Sequence, residues 1–187
     1  MDPAEIINAH REEYIRLKKL LKKLLKKILH GIKDKYTIWF QHRLKTRESL
    51  CEKITKITNR RKEANDIIGF RIIYPWSDGL YEIAKLLSKE PGLNIESTEY
   101  WENNKIIYLY GITSLDTKYE IQLWPTIMYT CFEYEHDKVY KPHPEYTIPA
   151  IRKNLDKKAL CVRKKQLEIQ NYLDANVLVP YNLNNIA

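Results

Sequence analysis

Residues 65–89, "NDIIGFRIIYPWSDGLYEIAKLLSK", decide the reading of the fold. Ile67, Ile68, Phe70, Ile72 and Ile73 make a short apolar run rich in β-branched residues, the pattern of a mostly buried strand over 67–74. Pro75 closes it. "SDGLYEIAKLLSK" (77–89) then reads as a helix opened by Ser77 or Asp78 as its cap. A buried strand running straight into a helix is the signature of an α/β domain. Two charges interrupt the strand, Asp66 at its mouth and Arg71 inside the apolar run. Taking an unpaired charge out of water is costly, so each needs a partner. One reading is an ion pair tying the strand to a neighbour. The other is that the sheet borders a metal and phosphate site. Five positions apart, the two side chains fall on opposite faces of a strand, so they need not be each other's partner.

Working outward, residues 3–30 read as a long amphipathic helix. Leucines 17, 20, 21, 24, 25 and 29 with Ile28 follow three-four spacing, lysines fill the other face, and Gly31 is the stop. Taken alone, "LKKLLKKLLKKIL" resembles a membrane-surface peptide; packing on its own domain with a solvated lysine face is the favoured reading. "IWFQHRLKTR" (38–47) precedes a helix over roughly 47–62. After the 77–89 helix and the turn "PGLN", segments 94–101, 105–112 and 118–124 read as strands. Pro125 starts a helix through about 141, "KPHPEY" breaks the chain, and 147–175 read as a last charged helix. The expected architecture is α/β, a single domain with a central mixed sheet of four to five strands flanked by helices. Residues 1–31 form its N-terminal helix, 38–141 the core and 147–175 the C-terminal helix.

The chain has 187 residues and 44% hydrophobic content, which suits one globular domain with a real core. Lysine and arginine outnumber acids 32 to 24, giving a formal charge of +8 and favouring an anionic partner. Cys51, Cys131 and Cys161 form no CxxC pair, so neither a zinc site nor a disulfide framework is indicated. No apolar run approaches the roughly 18 residues that span a bilayer, and the N-terminus lacks a signal-peptide core. The expected location is the cytoplasm, without stable membrane association. With five glycines and neither GxxxxGK[ST] nor GxGxxG, phosphates must be held by arginine and lysine side chains and a metal.

Four clusters offer that chemistry. In "HRLKTRESLCEK", Arg43, Lys45 and Arg47 alternate and so share a face on a strand, while Ser49 and Lys53 lie one helical turn apart. Asp66 and Arg71 form the second cluster. In "YEIQLW", Glu120 and Gln122 share one face of a strand and Tyr119, Ile121 and Leu123 the other. A strand buried on both sides excludes such polar groups; a strand bordering a ligand cleft accommodates them. Carboxylates on neighbouring strands, Asp66 and Glu120, suit Mg²⁺. Downstream, "EYEHDKVYK" carries His136 and Tyr140 at i, i+4, with Glu135, Lys138 and Lys141 nearby.

In this order, "RLKTRES" (43–49), "DIIGFR" (66–71), "EIQ" (120–122) and "EHDKVYK" (135–141) resemble the RxKxxxS, DxxGxR, ExQ and EHxxxYK motifs of the RelA/SpoT-family synthetase domain. The length is similar to that of the small, single-domain alarmone synthetases, and no hydrolase HD pattern is present. The resemblance implies a nucleotidyltransferase-like synthetase fold and an ATP-dependent pyrophosphokinase. Such an enzyme transfers the β,γ-pyrophosphate of ATP to a ribose 3′-hydroxyl. By the same resemblance, Arg43, Lys45, Ser49, Lys53 and Arg71 would bind ATP, and Asp66 and Glu120 would hold Mg²⁺ and serve catalysis. Gln122, His136, Lys138, Tyr140 and Lys141 would bind the acceptor. Two departures stand out. The family's GYxSxH segment, whose tyrosine stacks on the acceptor base, is missing from "STEYWENNKIIYLYGI", where Tyr100, Trp101 and Tyr108 are the aromatic candidates. The family's ExQxRT becomes "EIQLWP", with Trp124 and Pro125 in place of the arginine and threonine. The acceptor therefore stays open between a purine nucleotide, giving a (p)ppGpp-like alarmone, and the 3′ end of tRNA, giving a translation-blocking toxin. An antitoxin partner and a homo-oligomer stay open with it. A catalytically degenerate nucleotide- or RNA-binding protein is the reading of another class.

Overall fold

The computed structural model describes residues 3–31, 38–46, 48, 67–135 and 149–176. Helix α1 (Pro3–Gly31) leads to strand β1 (Trp39–Leu44). Then come β2 (Ile68–Tyr74), α2 (Ser77–Ser88), β3 (Ile95–Trp101), β4 (Ile106–Ile112) and β5 (Lys118–Pro125). Helices α3 (Thr126–Tyr134) and α4 (Pro149–Asn176) close the described chain. The strands form one sheet in the order β1-β2-β5-β4-β3. Strand β2 pairs parallel with β5, and every other pairing is antiparallel, so the sheet is mixed with five strands as expected.

Period-two alternation gives the sheet two unlike faces. On one, Ile68, Phe70 and Ile72 of β2, Ile121 and Leu123 of β5 and Leu109 of β4 are sealed under α1 and α2. Leu17, Leu21, Leu25 and Ile28 of α1 supply the cover, while Lys19, Lys22, Lys23, Lys26 and Lys27 are exposed. The membrane-like leucine stripe is thus a core stripe, and no described helix is long and apolar enough to cross a membrane. On the opposite face a smaller cluster of Ile73, Ile106, Trp124, Met128 and Tyr129 lies under α3. It covers only the carboxyl-end half of β2 and β5.

The cap of α2 differs from expectation. Ser77 is the first helical residue, Trp76 occupies the cap position, and no local side chain caps the helix. The Ser77 amide instead donates to Asp174 Oδ1 of α4 at 3.3 Å. Asp174 also accepts from Lys105 Nζ at 2.6 Å and Gln170 Nε2 at 2.9 Å. Burial alone would raise the Asp174 pKa, but these donors prevail and hold it below the usual carboxylate value. One carboxylate thereby joins α2, α4 and the β3–β4 turn. The expected 47–62 helix and the 136–141 end of the helix after Pro125 lie outside the described residues.

Candidate active site

The uncovered half of the second face is polar because register brings four strands' polar positions into one row. Gln41 pairs with Arg71, and Arg43 with Gly69, across β1–β2. Gly69 pairs with Glu120, and Arg71 with Gln122, across β2–β5. Tyr108 and Tyr110 of β4 stand opposite Gln122 and Glu120. Gln41, Arg43, Gly69, Arg71, Glu120 and Gln122 therefore line one open cleft.

Gly69 is the low point of its floor. Its φ is not positive, so dihedral freedom is not what the position uses. A Cβ there would sit 3.3 Å from Arg43 Nε and 3.5 Å from its Cγ. The missing side chain lets Arg43 lie across β2 towards Glu120.

Arg71 answers the question raised by its strand. Its Nε donates to Gln122 Oε1 at 3.0 Å, and its Nη1 pairs with Glu133 Oε1 of α3 at 3.1 Å. Its guanidinium lies 5.2 Å from the Tyr129 ring centroid, 5.6 Å from that of Trp124 and 5.8 Å from that of Phe132, within cation–π range. This arginine ties the strand to a helix, as the ion-pair reading expects, and it also lines a polar cleft. Glu133 and Tyr129 carried no signal in the sequence, because α3 meets β2 only through the sheet order.

Gln122 is fixed in one orientation. Its Oε1 accepts from Arg71 and, at 3.1 Å, from Trp124 Nε1, so its Nε2 turns to Glu120 Oε1 at 2.8 Å. Trp124, in place of the motif arginine, thus holds the glutamine that holds the glutamate. Tyr119 and Ile121, as expected, are fully buried on the other side. Lys45 continues the β1–β2 pairing, its amide donating to Ile67 O at 2.9 Å. Asp66, Ser49, Lys53, His136, Lys138, Tyr140 and Lys141 lie outside the described residues.

Toward the carboxyl end of β5 lies a second, separately lined chamber. Its walls are Trp101, Ile106, Tyr108, Trp124 and Phe132, with Glu135 and Arg163 at its side. Of the aromatic candidates, Trp101 and Tyr108 face this chamber, their rings 5.3 Å apart. Tyr100 points to the other face and packs on Tyr81 of α2 at 5.1 Å. Burial and the Glu120 carboxylate raise the Tyr108 pKa. Burial, Glu99 and Glu120 push Tyr110 up to about 12, so both phenols stay protonated beside the glutamate.

A family model described as a region found in RelA / SpoT proteins matches residues 42–145. The chain belongs to the RelA/SpoT family. The matched segment runs from the β1 basic cluster past the end of α3, so it spans the cleft, and the expectation of a synthetase-domain pyrophosphokinase agrees with this membership. No curated protein sequence matches the chain.

Solved structures share the fold. A GTP pyrophosphokinase family protein from Streptococcus pneumoniae is 19% identical, with 92% of this chain and 94% of that one covered and a TM-score of 0.61. Small alarmone synthetase 2 from Bacillus subtilis is 22% identical, covering 87% and 91%, TM-score 0.61. Small alarmone synthetase 1 from the same organism, bound to its product pppGpp, is 18% identical, covering 88% and 94%, TM-score 0.59. Bound to AMPCPP it is again 18% identical, covering 88% and 93%, TM-score 0.56.

Proposed function

We propose that this RelA/SpoT-family protein is an ATP-dependent pyrophosphokinase whose acceptor is the ribose 3′-hydroxyl of a purine nucleotide. The observation that carries the reading is the polar floor: Arg43 and Arg71 flank Gly69, and Glu120 stands beside them, held by Gln122. In the reaction, the acceptor 3′-oxygen attacks the β-phosphorus of ATP. The bond from that phosphorus to the α,β-bridging oxygen breaks, and AMP leaves. The hydroxyl proton passes to Glu120 and then to solvent. Charge spreads over the transferred phosphoryl oxygens, and positioned cations stabilise it. Arg43 supplies one such cation at the floor and Lys45 follows it at the end of β1. Arg71 exchanges its Glu133 contact for phosphate.

The donor set fits Mg²⁺. A hard cation takes carboxylate and phosphate oxygens, and Glu120 offers a carboxylate on the cleft floor. Asp66 and Glu120 would hold the ion, which would neutralise the donor phosphates when bound. Among the described residues no group of three or more His, Cys, Asp or Glu side chains is placed to hold a metal ion.

An alternative acceptor, the 3′ end of tRNA, draws on the exposed α1 lysines. Lys18 and Lys22 act on His42 on the α1 side of the sheet, where His42 Nδ1 meets Tyr14 OH at 2.7 Å and burial first, then these two cations, lower its pKa. The test is transfer from γ-labelled ATP with Mg²⁺ to GDP, GTP, AMP, ADP, ATP or bulk tRNA, each supplied separately. Label on a free purine nucleotide is the expected result. Label on tRNA alone replaces the nucleotide reading with the toxin reading. No label on any acceptor rejects both and leaves a nucleotide- or RNA-binding protein.

A further inference from the structure

Arg71 already carries a carboxylate on the edge that a donor phosphate needs. Glu133 Oε1 meets its Nη1 at 3.1 Å, and Glu133 has no other partner among the described residues. Local structure gives no reason for an acid at this position. Glu133 stands in the last turn of α3, where the negative end of the helix dipole disfavours it. It is not needed to dock the helix either, because Met128 and Tyr129 do so in the apolar cluster with Ile73 and Trp124.

The other partners of Arg71 hold it from a different side. Its Nε donates to Gln122 Oε1 at 3.0 Å, and the rings of Trp124, Tyr129 and Phe132 lie 5.2 to 5.8 Å from the guanidinium. Besides Glu133, Nη1 has only a long contact with Gln41 Oε1 at 3.4 Å. Gln41 is committed elsewhere, donating Nε2 to the Tyr129 hydroxyl at 2.6 Å. Nη2 has no partner among the described residues. The two terminal nitrogens form the fork that takes a phosphate bidentately, and Glu133 occupies one side of it.

We propose that Glu133 is a latch that competes with the phosphates of the donor for Arg71 and so holds the affinity for ATP down. The proposal rests on the reading of Arg71 as a phosphate ligand. A phosphate on Nη1 and Nη2 displaces the Glu133 carboxylate or lies beside it, and like charges at that range repel. The bond to Gln122 and the ring contacts persist, so the guanidinium pivots about Nε and stays in the cleft. Glu133, whose side chain is 39% exposed, turns to solvent. The opposing role is a brace, in which Glu133 orients Arg71 for phosphate as Gln122 does. The two roles predict opposite signs. Losing a brace weakens donor binding, whereas losing a competitor strengthens it.

The test uses the full chain and reads two quantities: the KM for ATP at saturating acceptor by label transfer, and AMPCPP binding by calorimetry. In AMPCPP a methylene group replaces the α,β-bridging oxygen at which the donor bond breaks, so binding is read without turnover. Glu133→Gln removes the charge and keeps an amide; Glu133→Ala removes the group. Both variants should bind AMPCPP about two- to fivefold more tightly, the range for an ion pair of this exposure. The KM for ATP should fall by the same factor, at least as far in Glu133→Ala as in Glu133→Gln, with kcat within about twofold.

Weaker or unchanged AMPCPP binding in either variant overturns the proposal, and a loss that is larger in Glu133→Ala identifies a brace instead. Tighter AMPCPP binding with no label transferred to any acceptor removes the pyrophosphokinase function and leaves the latch. Label transferred with unchanged AMPCPP binding removes the latch and leaves the function standing.

Discussion

Gly69→Ala separates what the fold wants from what the cleft wants. Gly69 is buried in β2 with an ordinary backbone, and a strand-interior glycine costs about 0.5–1 kcal/mol relative to alanine through unfolded-state entropy. Among the described residues, the only atoms within 4 Å of a new Cβ are Arg43 Nε at 3.3 Å and Cγ at 3.5 Å. A flexible side chain can yield the few tenths of an ångström required. Stability should therefore hold or rise, by up to about 1 kcal/mol, or about 2–4 °C in Tm for a domain of this size. Arg43, lifted from the floor, loses part of its contact with the donor phosphates. Losing about 1–2 kcal/mol of a charge-assisted hydrogen bond raises the KM for ATP about five- to thirtyfold, with little change in acceptor KM. Thermal melts and initial rates at saturating acceptor read the two effects independently. An unchanged KM for ATP would refute the use of Gly69 as space for a phosphate-binding Arg43. A fall in Tm of several degrees would show the strand itself, not the arginine, to be the tight neighbour.

Two further substitutions probe the supports of the site. Trp124→Phe keeps an aromatic wall beside Arg71 but removes the indole N–H that fixes Gln122. With one of two donors to Oε1 lost, kcat should fall about fivefold, the worth of about 1 kcal/mol, at constant KM for ATP; unchanged kcat would show that Arg71 alone orients the amide. Asp174→Asn leaves Lys105 with a neutral partner in a largely buried position, at a cost of about 2–3 kcal/mol in chemical denaturation at pH 7. The Asp174 pKa is depressed in the fold, so its stabilisation is complete above its unfolded value of about 4 and is lost as pH falls through the lower folded value. The variant should lose less stability than the unaltered protein over that acid range, and equal acid sensitivity of the two proteins would remove Asp174 from the account.

Local pattern carried the elements because hydrophobic period depends on near neighbours only. The apolar run 67–74, the Glu-x-Gln alternation in 118–124 and the leucine stripe of α1 each name their own buried face, and the structure keeps each of them. What a residue touches across the sheet depends on strand order and register, which no single segment contains. Local pattern places the α2 cap at Ser77 or Asp78, yet the Ser77 amide is met by Asp174, 97 positions away. Arg71 could be seen to need a partner, but not that the partners would be Gln122, Glu133 and three rings of β5 and α3. Tyr100, Trp101 and Tyr108 were equivalent as letters; the pairing of β3 with β4 sends Trp101 and Tyr108 to the chamber and Tyr100 to α2. The sequence by itself determined a mixed α/β domain, its core stripes, and a polar strand face with the residues of a phosphate-handling family. Only the tertiary structure decided that Gly69 clears a path for Arg43, that Trp124 locks Gln122 onto Glu120, and that buried Glu135 meets Arg163 of α4. The Gly69–Arg43 and Glu135–Arg163 relations join residues 26 and 28 positions apart, while the Trp124–Gln122–Glu120 row joins alternate residues of one strand; folding brings the distant pairs together by burying apolar faces that are silent about which polar groups will meet.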